Sequence, residues 1–478
     1  MEQPALFTSP YNFRIPLRDS ELLYSSFSGA VISLAGDDAT SIAQTLSGDV
    51  RPLRLQDFPE TLADQLQNGG FVTSDPADQL KTIQARFHAA RSDYPVVLTL
   101  TTTMDCNLGC YYCYEERSPD RLDKLDLDAI LALAEQRLCD RQGTRLHVDW
   151  YGGEPLLNCQ FLEAASEAIQ ELCRGLSVPY SASLISNGTC WPEDVGAFVS
   201  RHRIGQVQIS FDGMRENHNR RRRYRNADDQ SRRSSFDEAA GVVSKLLDFA
   251  KVDIRFNIDT RNAPDLVPFI RFAQSQDWFD RKYPAIFQPA RLASYTEHSS
   301  FMRKSELTVA EFDDLRELTR SELNQTQVEE SEAPEGFPFP KTSVCCALAA
   351  DAVVIGADGR KYRCGLQVSE PTSAVGSIRF GPFRILDNAA DTRSAENERW
   401  WRGFDPTNAQ SCSKCSFLPV CWGGCPKKHF DGDTHALREQ GTYWRRNLAR
   451  LVTSNLGIEL PSVTHFVERE QFRETIPL

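Results

Sequence analysis

Short apolar and polar runs alternate through the first 95 residues of the chain. NFRIPL, ELLYSSF and AVISL are predicted strands, and SIAQTLSG and LADQLQNGGFV are a predicted pair of helices that ends in glycines. Turn residues bound each run, as is typical of short strands and helices. The pattern indicates a separate N-terminal unit, which is either a small winged or strand-plus-helix binding module or packing support for the rest of the chain.

From residue 96 the pattern changes to longer apolar strands that alternate with amphipathic helices. The predicted strands are VVLTLTTT, LHVDWYGG, ASLISNG, VQISFDG, VDIRFNID and AIFQPAR, and the clearest helices are LDLDAILALAEQRL and FLEAASEAIQEL. This alternation predicts a parallel sheet with helices outside it. Ligands of such folds bind where the carboxyl ends of the strands release their loops. The polar motifs of this region follow predicted strands directly, so we expect them to meet at one end of the sheet.

These patterns divide the chain into five segments. They are an N-terminal module at 1–95, a strand–helix region at 96–310, a helix and an acidic, proline-rich linker at 311–343, a cysteine-rich region at 344–445 and a helical tail at 446–478. The linker sequence QTQVEESEAPEGFPFPKTS is typical of a connecting segment or of a long functional loop.

Composition limits the partners and the location of the protein. The 478 residues carry a formal net charge of −12, which argues against a general nucleic-acid-binding protein, because phosphate contacts require clustered Lys and Arg. The first residues show no basic and then apolar signal segment, and no apolar run is as long as a membrane span. We therefore expect a cytoplasmic protein without a membrane or nucleic-acid partner.

The 14 cysteines of the chain are its strongest chemical signal. The cytosol keeps thiols reduced, which argues against disulfides. Cys139, Cys159, Cys173 and Cys190 are scattered, and we expect them to be buried free thiols. The other ten cysteines cluster in the sequence, which buried thiols have no reason to do, and metal ligation explains them better.

The first group, Cys106, Cys110 and Cys113, lies in TMDCNLGCYYCYEE after the first strand of the predicted sheet. A structural zinc site requires four ligands, whereas three cysteines leave one iron of a four-iron cluster open to another ligand. Cys-x3-Cys-x2-Cys in this position resembles the signature of the radical S-adenosylmethionine (SAM) superfamily. The resemblance implies a partial (β/α)6 TIM-like barrel, a 4Fe-4S cluster and a SAM molecule bound to the open iron. It also implies the reaction, in which SAM is reductively cleaved to a 5′-deoxyadenosyl radical that removes a hydrogen atom from the substrate.

Three later loops strengthen this resemblance. GGEP at 152–155 resembles the second-strand motif of the superfamily, whose backbone and glutamate hold the amino group of SAM. ISNG and ISFDG match strand ends that contact the carboxylate or ribose of SAM in relatives, although Asn-Gly and Asp-Gly are also favoured turn pairs. The implied SAM contacts are Tyr112, Gly152, Gly153, Glu154, Ser186, Asn187, Ser210 and Asp212.

The second group of cysteines lies in CCALAADAVVIGADGRKYRC and CSKCSFLPVCWGGC. The spacing Cys-x2-Cys-x5-Cys-x3-Cys alone could form a zinc site. Together with Cys-x12-Gly-x4-Cys ahead of it, however, it resembles a SPASM domain, which typically carries two auxiliary iron–sulfur clusters and in which Gly359 would form a hairpin turn. The resemblance implies one or two such clusters, the first bound by Cys346, Cys364 and Cys425 with Cys345 as a further candidate, and the second bound by Cys412, Cys415 and Cys421.

Two departures from the SPASM pattern concern the ligands. No cysteine follows Cys425, so the second auxiliary cluster lacks its usual fourth ligand. Either the number of irons differs, or one of four other side chains substitutes, namely Asp431, Asp433, His429 or His435. Adjacent Cys345 and Cys346 cannot easily reach two irons of one cluster, which leaves a candidate open iron that could bind a substrate thiolate.

SPASM enzymes mostly modify ribosomally made peptides or proteins. The resemblance therefore predicts a maturase that forms an intramolecular thioether or carbon–carbon cross-link in a precursor peptide or protein, with an external electron donor of flavodoxin or ferredoxin type. Side-chain oxidation, as in sulfatase maturation, is the alternative, and it is weakened because Gly365 stands where that branch usually has an aspartate base. A non-catalytic iron–sulfur or zinc protein for electron transfer or scaffolding is the alternative of another class, and it leaves GGEP unexplained.

Two further segments bear on the substrate. The N-terminal unit resembles the small leader-binding modules of peptide maturases, which add the precursor as an edge strand. The arginine run in NHNRRRRYRN is either a solvated loop or part of the active site, since relatives place a histidine and an arginine there. We therefore consider His218, Arg222 and, on the last predicted strand, Gln288 as possible lining residues. The sequence does not identify a catalytic base.

Overall fold

The computed structural model describes residues 5–140, 145–294, 299–324, 336–379 and 388–460. Predictions for residues 325–335 of the linker and 461–478 of the tail lie outside the described residues. The chain forms two compact units that do not follow chain order. The first unit comprises Met1–Asp93, Glu329–Ala349 and Gly403–Leu478, and the second comprises Tyr94–Val328 and Ala350–Arg402. The boundaries of the five segments predicted from the sequence remain predictions.

Residues 5–93, the described N-terminal part of the first unit, contain six short strands and three α-helices. The strands are β1 (Leu6–Thr8), β2 (Asn12–Pro16), β3 (Glu21–Ser25), β4 (Val31–Leu34), β5 (Pro52–Leu53) and β6 (Val72–Thr73), and the helices are α1 (Ala39–Ser47), α2 (Glu60–Asn68) and α3 (Pro76–Ser92). β2, β3 and β4 form an antiparallel sheet in this order, and β1 pairs with both β5 and β6. The three strands and two helices predicted for this region are confirmed. α3 begins where the Asp75 carboxylate accepts a hydrogen bond from the Ala77 amide (2.8 Å), with Pro76 in the first position.

The second unit is built on six parallel strands. In chain order its elements are β7 (Val96–Thr103), α4 (Lys124–Asp140), β8 (Leu146–Gly152), α5 (Cys159–Gly175), β9 (Tyr180–Ser186), α6 (Val195–Arg201), β10 (Ile204–Phe211), α7 (Arg215–Arg221), α8 (Ala227–Arg232), α9 (Ser235–Leu246), β11 (Lys251–Ile258), α10 (Leu266–Ser275), β12 (Ile286–Arg291) and α11 (Val309–Asn324). The spatial order is β12-β11-β10-β9-β8-β7, so each strand lies beside its neighbour in sequence. The predicted parallel sheet of six strand–helix units is confirmed.

One face of the six strands is apolar. Because side chains alternate along a strand, every second residue points to the same face. The residues of this face are buried against the helices in the main core, for example Leu98, Val148, Leu184, Ile209 and Ile254. Their burial fixes the register of the strands, since a slip by one residue would bring polar side chains into the core.

The opposite face is polar. On four neighbouring strands it carries Thr99, Asp149, Ser183 and Gln208, and Arg255 follows on β11. The Asp149 carboxylate accepts hydrogen bonds from Ser183 Oγ and Thr99 Oγ1. A polar inner face of this kind suits a barrel that encloses a ligand rather than a packed apolar interior.

A hairpin from the later part of the chain extends the sheet. β13 (Ala352–Ile355) pairs in parallel with β7, and β14 (Arg360–Tyr362) and β15 (Gly376–Ser377) follow as antiparallel strands. Gly359 makes the predicted turn before β14 with φ +77°, a conformation that favours glycine. Helix α12 (Asn388–Gly403) comes next in the chain.

The C-terminal helices belong to the first unit and share a core with its N-terminal strands. They are α13 (Gln410–Ser413), α14 (Leu418–Cys421), α15 (Pro426–Phe430) and α16 (Thr434–Ser454). Phe13 and Tyr24 pack with Phe417 and Leu448 in one buried cluster, and the Phe13 and Phe417 rings lie 4.8 Å apart. The N-terminal module and the cysteine-rich segment thus support each other. No helix among the described residues is long and apolar enough to cross a membrane.

Candidate functional site

A cavity of about 380 Å3 opens at the carboxyl ends of the parallel strands of the second unit. Cys106, Cys110 and Cys113 all line it. The loop that carries them is held by backbone hydrogen bonds to the segment after α7, from Gly109 N to Arg223 O (2.7 Å) and from Arg225 N to Asn107 O (3.0 Å). The structure therefore brings the three predicted cluster ligands to one side of one cavity.

The two glycines of GGEP allow the loop after β8 to contact the cysteine loop. A Cβ on Gly152, whose φ is +131°, would lie 2.3 Å from Thr103 O, and a Cβ on Gly153 would lie 2.4 Å from Asp105 O. The close approach lets the Gly153 and Glu154 amides donate to the Thr103 and Asp105 carbonyls, each at 3.0 Å. Only glycine fits at these positions, because larger residues would push the two loops apart.

Glu154, the next residue of the GGEP loop, is fully buried. Its carboxylate accepts hydrogen bonds from Ser186 Oγ (3.0 Å), the Asn187 amide (2.7 Å) and the Leu156 amide (3.2 Å). Burial raises the pKa of Glu154 to about 7, although these hydrogen bonds favour the charged form. Glu154 does not line the cavity in this structure; it fixes the turn after β9, and its predicted contact with SAM remains a prediction.

The turn after β9 and the end of β10 supply further predicted SAM contacts. Ser186, Asn187 and Ser210 line the cavity. The Asn187 side chain donates to Asn107 Oδ1 (2.9 Å) and lies 3.7 Å from Cys106 Sγ. The β9 turn is thereby tied to the cysteine loop.

Tyr112 and Arg222 line the cavity beside the cysteine loop, and Asp212 lies behind them. Tyr112 donates from its hydroxyl to Asp212 Oδ1 (2.7 Å), and Arg222 Nη1 donates to the Tyr112 oxygen (2.7 Å). Asp212 is fully buried and also accepts from Arg221 Nε (3.2 Å). Asp212 therefore binds protein donors and does not line the cavity, and its predicted contact with SAM remains a prediction. Arg222 keeps a buried Nε without a hydrogen-bond partner among the described residues, which suits an anionic ligand.

His218 and Gln288, predicted as possible lining residues, do not line the cavity. His218 is fully buried between the rings of Phe211 and Phe236, at centroid distances of 5.3 and 5.6 Å. Burial lowers the pKa of His218 well below its usual range, and the arginine charges nearby lower it further, so the ring is neutral. Gln288 is exposed on β12, next to Arg255 in the sheet register.

The three thiols fit an iron–sulfur cluster by their chemistry. Burial raises the pKa of each, that of Cys113 to about 12, and the neighbouring Cys110 raises that of Cys106 further. Buried thiolates side by side need a cationic group among them, and soft sulfur ligands select iron–sulfur clusters or zinc. No three Cys, His, Asp or Glu side chains of the described residues converge on a position for a single metal ion. A four-iron cluster does not require this, because each cysteine binds a different iron.

Burial raises the pKa of Cys415 in the first unit, and the neighbouring Cys421 and Cys412 raise it further. Burial also raises the pKa of Cys421, which Lys341 lowers and Cys412 raises. A Cβ on Gly423 would lie 3.6 Å from Cys412 Sγ and 3.4 Å from His429 Nε2. His429 is thus the one of the four predicted substitute ligands that lies near Cys412, and its Nε2 is hydrogen-bonded to Gly423 O (2.8 Å).

The other three substitutes have partners or positions of their own. Lys427 binds the Asp431 carboxylate (2.6 Å), Lys428 binds that of Asp433 (3.0 Å), and His435 is exposed on α16. These contacts leave the ligand set of the second auxiliary cluster a prediction.

The remaining cysteines are also free thiols. Cys345 and Cys346 are adjacent, and a hydrogen bond with Cys346 lowers the pKa of the Cys345 thiol to about 6. Cys345, Cys346 and Cys425 belong to the first unit and Cys364 to the second, and their role as ligands stays a prediction.

The four scattered cysteines are buried to different degrees. Cys173 is buried, Cys159 and Cys190 are half-buried, and Cys139 is exposed near the end of α4. The expectation of burial is therefore wrong for Cys139, which lies on the solvent side of an amphipathic helix.

The sequence reasoning missed a group of polar residues on the wall beyond the cysteines. Tyr114 and Tyr151 share a hydrogen bond between their hydroxyls (2.5 Å), and buried Glu115 bonds to Tyr151. Burial raises the pKa of Glu115. All three line the cavity, and their positions beside Cys113 and GGEP are a signal that could have identified them.

Arg255 and Gln208 also line the cavity and were missed. They lie on the inner face of neighbouring strands β11 and β10. Polar residues that alternate with buried apolar ones in VDIRFNID and VQISFDG are the sequence signal for this placement.

Comparison with known proteins agrees with this geometry. Residues 100–250 match the Radical SAM superfamily. The fold is similar to that of the solved structure of native anSMEcpe with bound AdoMet and Cp18Cys peptide, with a TM-score of 0.52 and 18% identity over 77% of this chain and 100% of that chain. At this identity the likeness shows the fold.

Two curated relatives match a shorter part of the chain. The probable GTP 3′,8-cyclase of Methanocella arvoryzae is 28% identical over 117 residues, which are 24% of this chain and 34% of that protein. The GTP 3′,8-cyclase of Synechococcus sp. (strain CC9605) is 31% identical over 131 residues, 26% of this chain and 36% of that protein. The chain thus spans about a third of the length of these relatives. Residues 100–250, with a cysteine loop at the carboxyl end of the first of six parallel strands, thus match the radical SAM superfamily, a family that uses a 4Fe-4S cluster and SAM.

Proposed function

We propose that this enzyme is a peptide maturase that forms an intramolecular thioether or carbon–carbon cross-link in a ribosomally made precursor peptide. The observation that carries the proposal is the single cavity that joins the three cysteines to a polar inner barrel face. Such a cavity can hold a cofactor at one wall and a peptide segment against the other.

The residues beside the cysteine loop would hold the cluster and orient SAM. A bound 4Fe-4S cluster with SAM supplies a 5′-deoxyadenosyl radical. Cys106, Cys110 and Cys113 would hold the cluster, and the buried Arg222 guanidinium suits the carboxylate of SAM. The Gly153 backbone, backed by the Glu154 charge, would receive the SAM amino group.

Two features support a peptide as the substrate. The fold resembles that of a structure solved with a bound peptide. In the first unit, β4 is at the edge of its three-stranded sheet, where a leader segment could add by main-chain hydrogen bonds. The N-terminal module is therefore proposed to bind the leader of the precursor.

Gly365 favours a cross-link over the sulfatase-type oxidation. A Cβ on Gly365 would lie 3.6 Å from the Tyr151 ring, so this position faces the wall of the cavity but carries no carboxylate. A maturase that relies on an aspartate base at this position would lack it here.

One or two auxiliary iron–sulfur clusters bound by the later cysteines, and an external flavodoxin- or ferredoxin-type electron donor, complete the proposal. Clustered cysteines in a chain without disulfides support the clusters.

An anaerobic reaction tests the function. Enzyme, dithionite and SAM are incubated with the peptide encoded beside the gene, and the expected products are 5′-deoxyadenosine and a peptide lighter by two hydrogen atoms. Tandem mass spectrometry should show suppressed fragmentation between the joined residues, whereas side-chain oxidation leaves fragmentation intact. Abundant SAM cleavage with an unchanged peptide mass would contradict the proposal. Absence of both SAM binding and deoxyadenosine would favour a non-catalytic iron–sulfur protein.

A further inference from the structure

Arg255 presents unused hydrogen-bond donors to the cavity. It lies half-buried on the inner face of β11, and its Nε donates to Asn257 Oδ1 (3.1 Å). Among the described residues, its two Nη groups have no ion pair or hydrogen bond. A guanidinium that loses water when a ligand fills the cavity requires a new acceptor, because an unpaired charge in a dry site is costly.

The carboxylates nearby already have partners. Asp149 accepts hydrogen bonds from two neighbouring strands. Asp253 accepts one from a glutamine of β10 through Oδ2, and its Oδ1 is buried without a hydrogen-bond partner among the described residues. Glu154 is bound by the turn after β9, and Glu115 by a tyrosine hydroxyl. Among the described residues, none of these carboxylates forms an ion pair or a hydrogen bond with Arg255.

SAM is not expected to neutralise Arg255 either. SAM has one carboxylate, and two other arginines that line the cavity act electrostatically on Cys110, namely Arg222 and Arg117. Arg222 also donates from Nη1 to the hydroxyl of Tyr112 (2.7 Å). These two arginines beside the cysteine loop suit the cofactor, and Arg255, on the inner face of β11, is left for the substrate. Gln208 on the adjacent strand lines the same wall and offers an amide.

We propose that Arg255, assisted by Gln208, binds a carboxylate of the peptide next to the residue that reacts. The carboxylate is that of an Asp or Glu side chain or of the peptide C-terminus. A planar guanidinium binds a carboxylate through two parallel hydrogen bonds, which fixes orientation as well as distance. This inference rests on the proposed peptide substrate, and it makes Arg255 a specificity-determining residue that holds one segment of the peptide while the radical reacts with its neighbour.

The test combines enzyme and peptide variants. Arg255→Gln and Arg255→Lys are compared with the wild type on the precursor peptide, on versions with each Asp or Glu changed singly to Asn or Gln, and on a C-terminal amide. With the unchanged precursor peptide, Arg255→Gln should lower kcat/KM by about 10- to 100-fold. With the wild-type enzyme, the one peptide in which the recognised carboxylate is replaced by an amide should show a loss of the same size. When this amide peptide is combined with Arg255→Gln, kcat/KM should fall little further, because the pair between Arg255 and the peptide carboxylate is already absent.

Controls separate this role from folding and from SAM binding. Arg271→Gln removes an exposed arginine that pairs with Glu322 outside the cavity and should leave kcat/KM unchanged. SAM affinity, measured by equilibrium dialysis, should stay within about twofold in Arg255→Gln, and Arg255→Lys should recover part of kcat/KM because the charge remains.

Several results would overturn the assignment. They are an unchanged kcat/KM in Arg255→Gln, an equal loss of SAM affinity, or losses that add when the enzyme and peptide changes are combined. Consumption of GTP that depends on Arg255 would assign the site to a phosphate instead. A peptide left unmodified by the wild type would overturn the proposed function and this assignment with it, whereas normal product from Arg255→Gln would overturn this assignment alone.

Discussion

The cysteine loop of the second unit and the cysteines of the first unit differ in what holds them in place. Cys106, Cys110 and Cys113 follow a buried parallel strand, and loops from neighbouring strands bind their backbone. The three cysteines from 412 to 421 lie on or beside two short helices. Phe417 and Val420 of that segment are buried against the N-terminal strands of the chain.

The two sites differ in how far apart in sequence the residues that position them are. The barrel site is assembled from motifs at successive strand ends, which meet because parallel strands release their loops at one edge. The second site depends on contacts such as the hydrogen bond from Ser26 Oγ to Ser416 O (2.6 Å), which joins residues 390 positions apart. Local motifs therefore identify the first site, whereas tertiary packing positions the second.

Removing the two cysteine groups in turn gives the largest expected contrast. Replacing Cys106, Cys110 and Cys113 with Ala should abolish SAM cleavage and remove about four irons per chain, leaving roughly four to eight in the auxiliary clusters. The corresponding change at 412, 415 and 421 should lower iron content but leave the barrel cluster able to cleave SAM. Iron analysis and chromatography of 5′-deoxyadenosine measure both effects.

The exposed Cys139 provides the control for this comparison. Cys139→Ala should retain full iron and full SAM cleavage. Equal loss of SAM cleavage in both triple variants, with the fold intact by circular dichroism, would show that the two sites do not differ as described.

Gly153→Ala should have the next largest effect. Its Cβ would meet Asp105 O at 2.4 Å, so the loop after β8 must move away from the cysteine loop. We expect SAM affinity to fall by about 10- to 100-fold, as for a displaced binding group. Gly175→Ala at the end of α5 is the matched change, since no atom lies within 4 Å of the new Cβ. It should leave SAM affinity intact and stabilise the helix by about 0.5–1 kcal/mol in thermal unfolding.

The buried carboxylate of Glu154 should give SAM affinity a moderate pH dependence, which involves only the site at the parallel strands. Burial raises its pKa to about 7, so the carboxylate becomes protonated as the pH falls through 7. SAM affinity should then fall by about tenfold in total, because the SAM ammonium loses its proposed charged partner. Glu154→Gln should bind SAM more weakly and lose this dependence in a titration by equilibrium dialysis.

The contribution of Glu154 to the free energy of unfolding should fall as the pH rises, whereas SAM affinity should rise. A raised carboxyl pKa means that the folded chain binds a proton that the unfolded chain releases. The contribution of Glu154 to the free energy of unfolding without SAM should be fully present below its ordinary pKa and lost as the pH rises through about 7. A stability profile identical in wild type and Glu154→Gln would contradict the burial of this group.

Val420→Ala should have the smallest effect on SAM cleavage. Val420 is buried in the core shared by the N-terminal strands and α16, and truncation should lower the free energy of unfolding by about 1–3 kcal/mol. Val207→Ala in the barrel core is the matched variant in the other unit. Chemical denaturation measures both losses, and 5′-deoxyadenosine formation should be normal for Val420→Ala at temperatures where the variant is folded.

Periodicity predicted the secondary structure well. The six parallel strands and the three N-terminal strands were predicted because period-two alternation and apolar runs reflect burial directly. Helix α3 and the inner-face role of Arg255 were not predicted. Polar residues inside a strand pattern identify the side that avoids the core, but not whether that side encloses a cavity.

The structure places predicted site residues at the cavity where backbone geometry requires a residue type, and away from it where the direction of a side chain decides. Gly152 and Gly153 line the cavity because the loops approach closely there. Asp212 and His218 stand in similar motif positions, but arginine pairing and aromatic packing turn them away from the cavity. Such contacts join separate loops, and residue spacing does not encode them.

The sequence by itself determined the order of strands and helices, the cysteine loop and the glycines that follow β8. These features depend on local propensity and on hydrophobic alternation, which operate over a few residues. Only the tertiary structure decided that Arg222 and Arg255 face one cavity and that Glu154 lies behind its wall. It also decided that the N-terminal strands pack with the cysteine-rich segment. The physical reason is that charge balance and burial depend on which distant residues exclude water from a group, and this is settled only when the whole chain has packed.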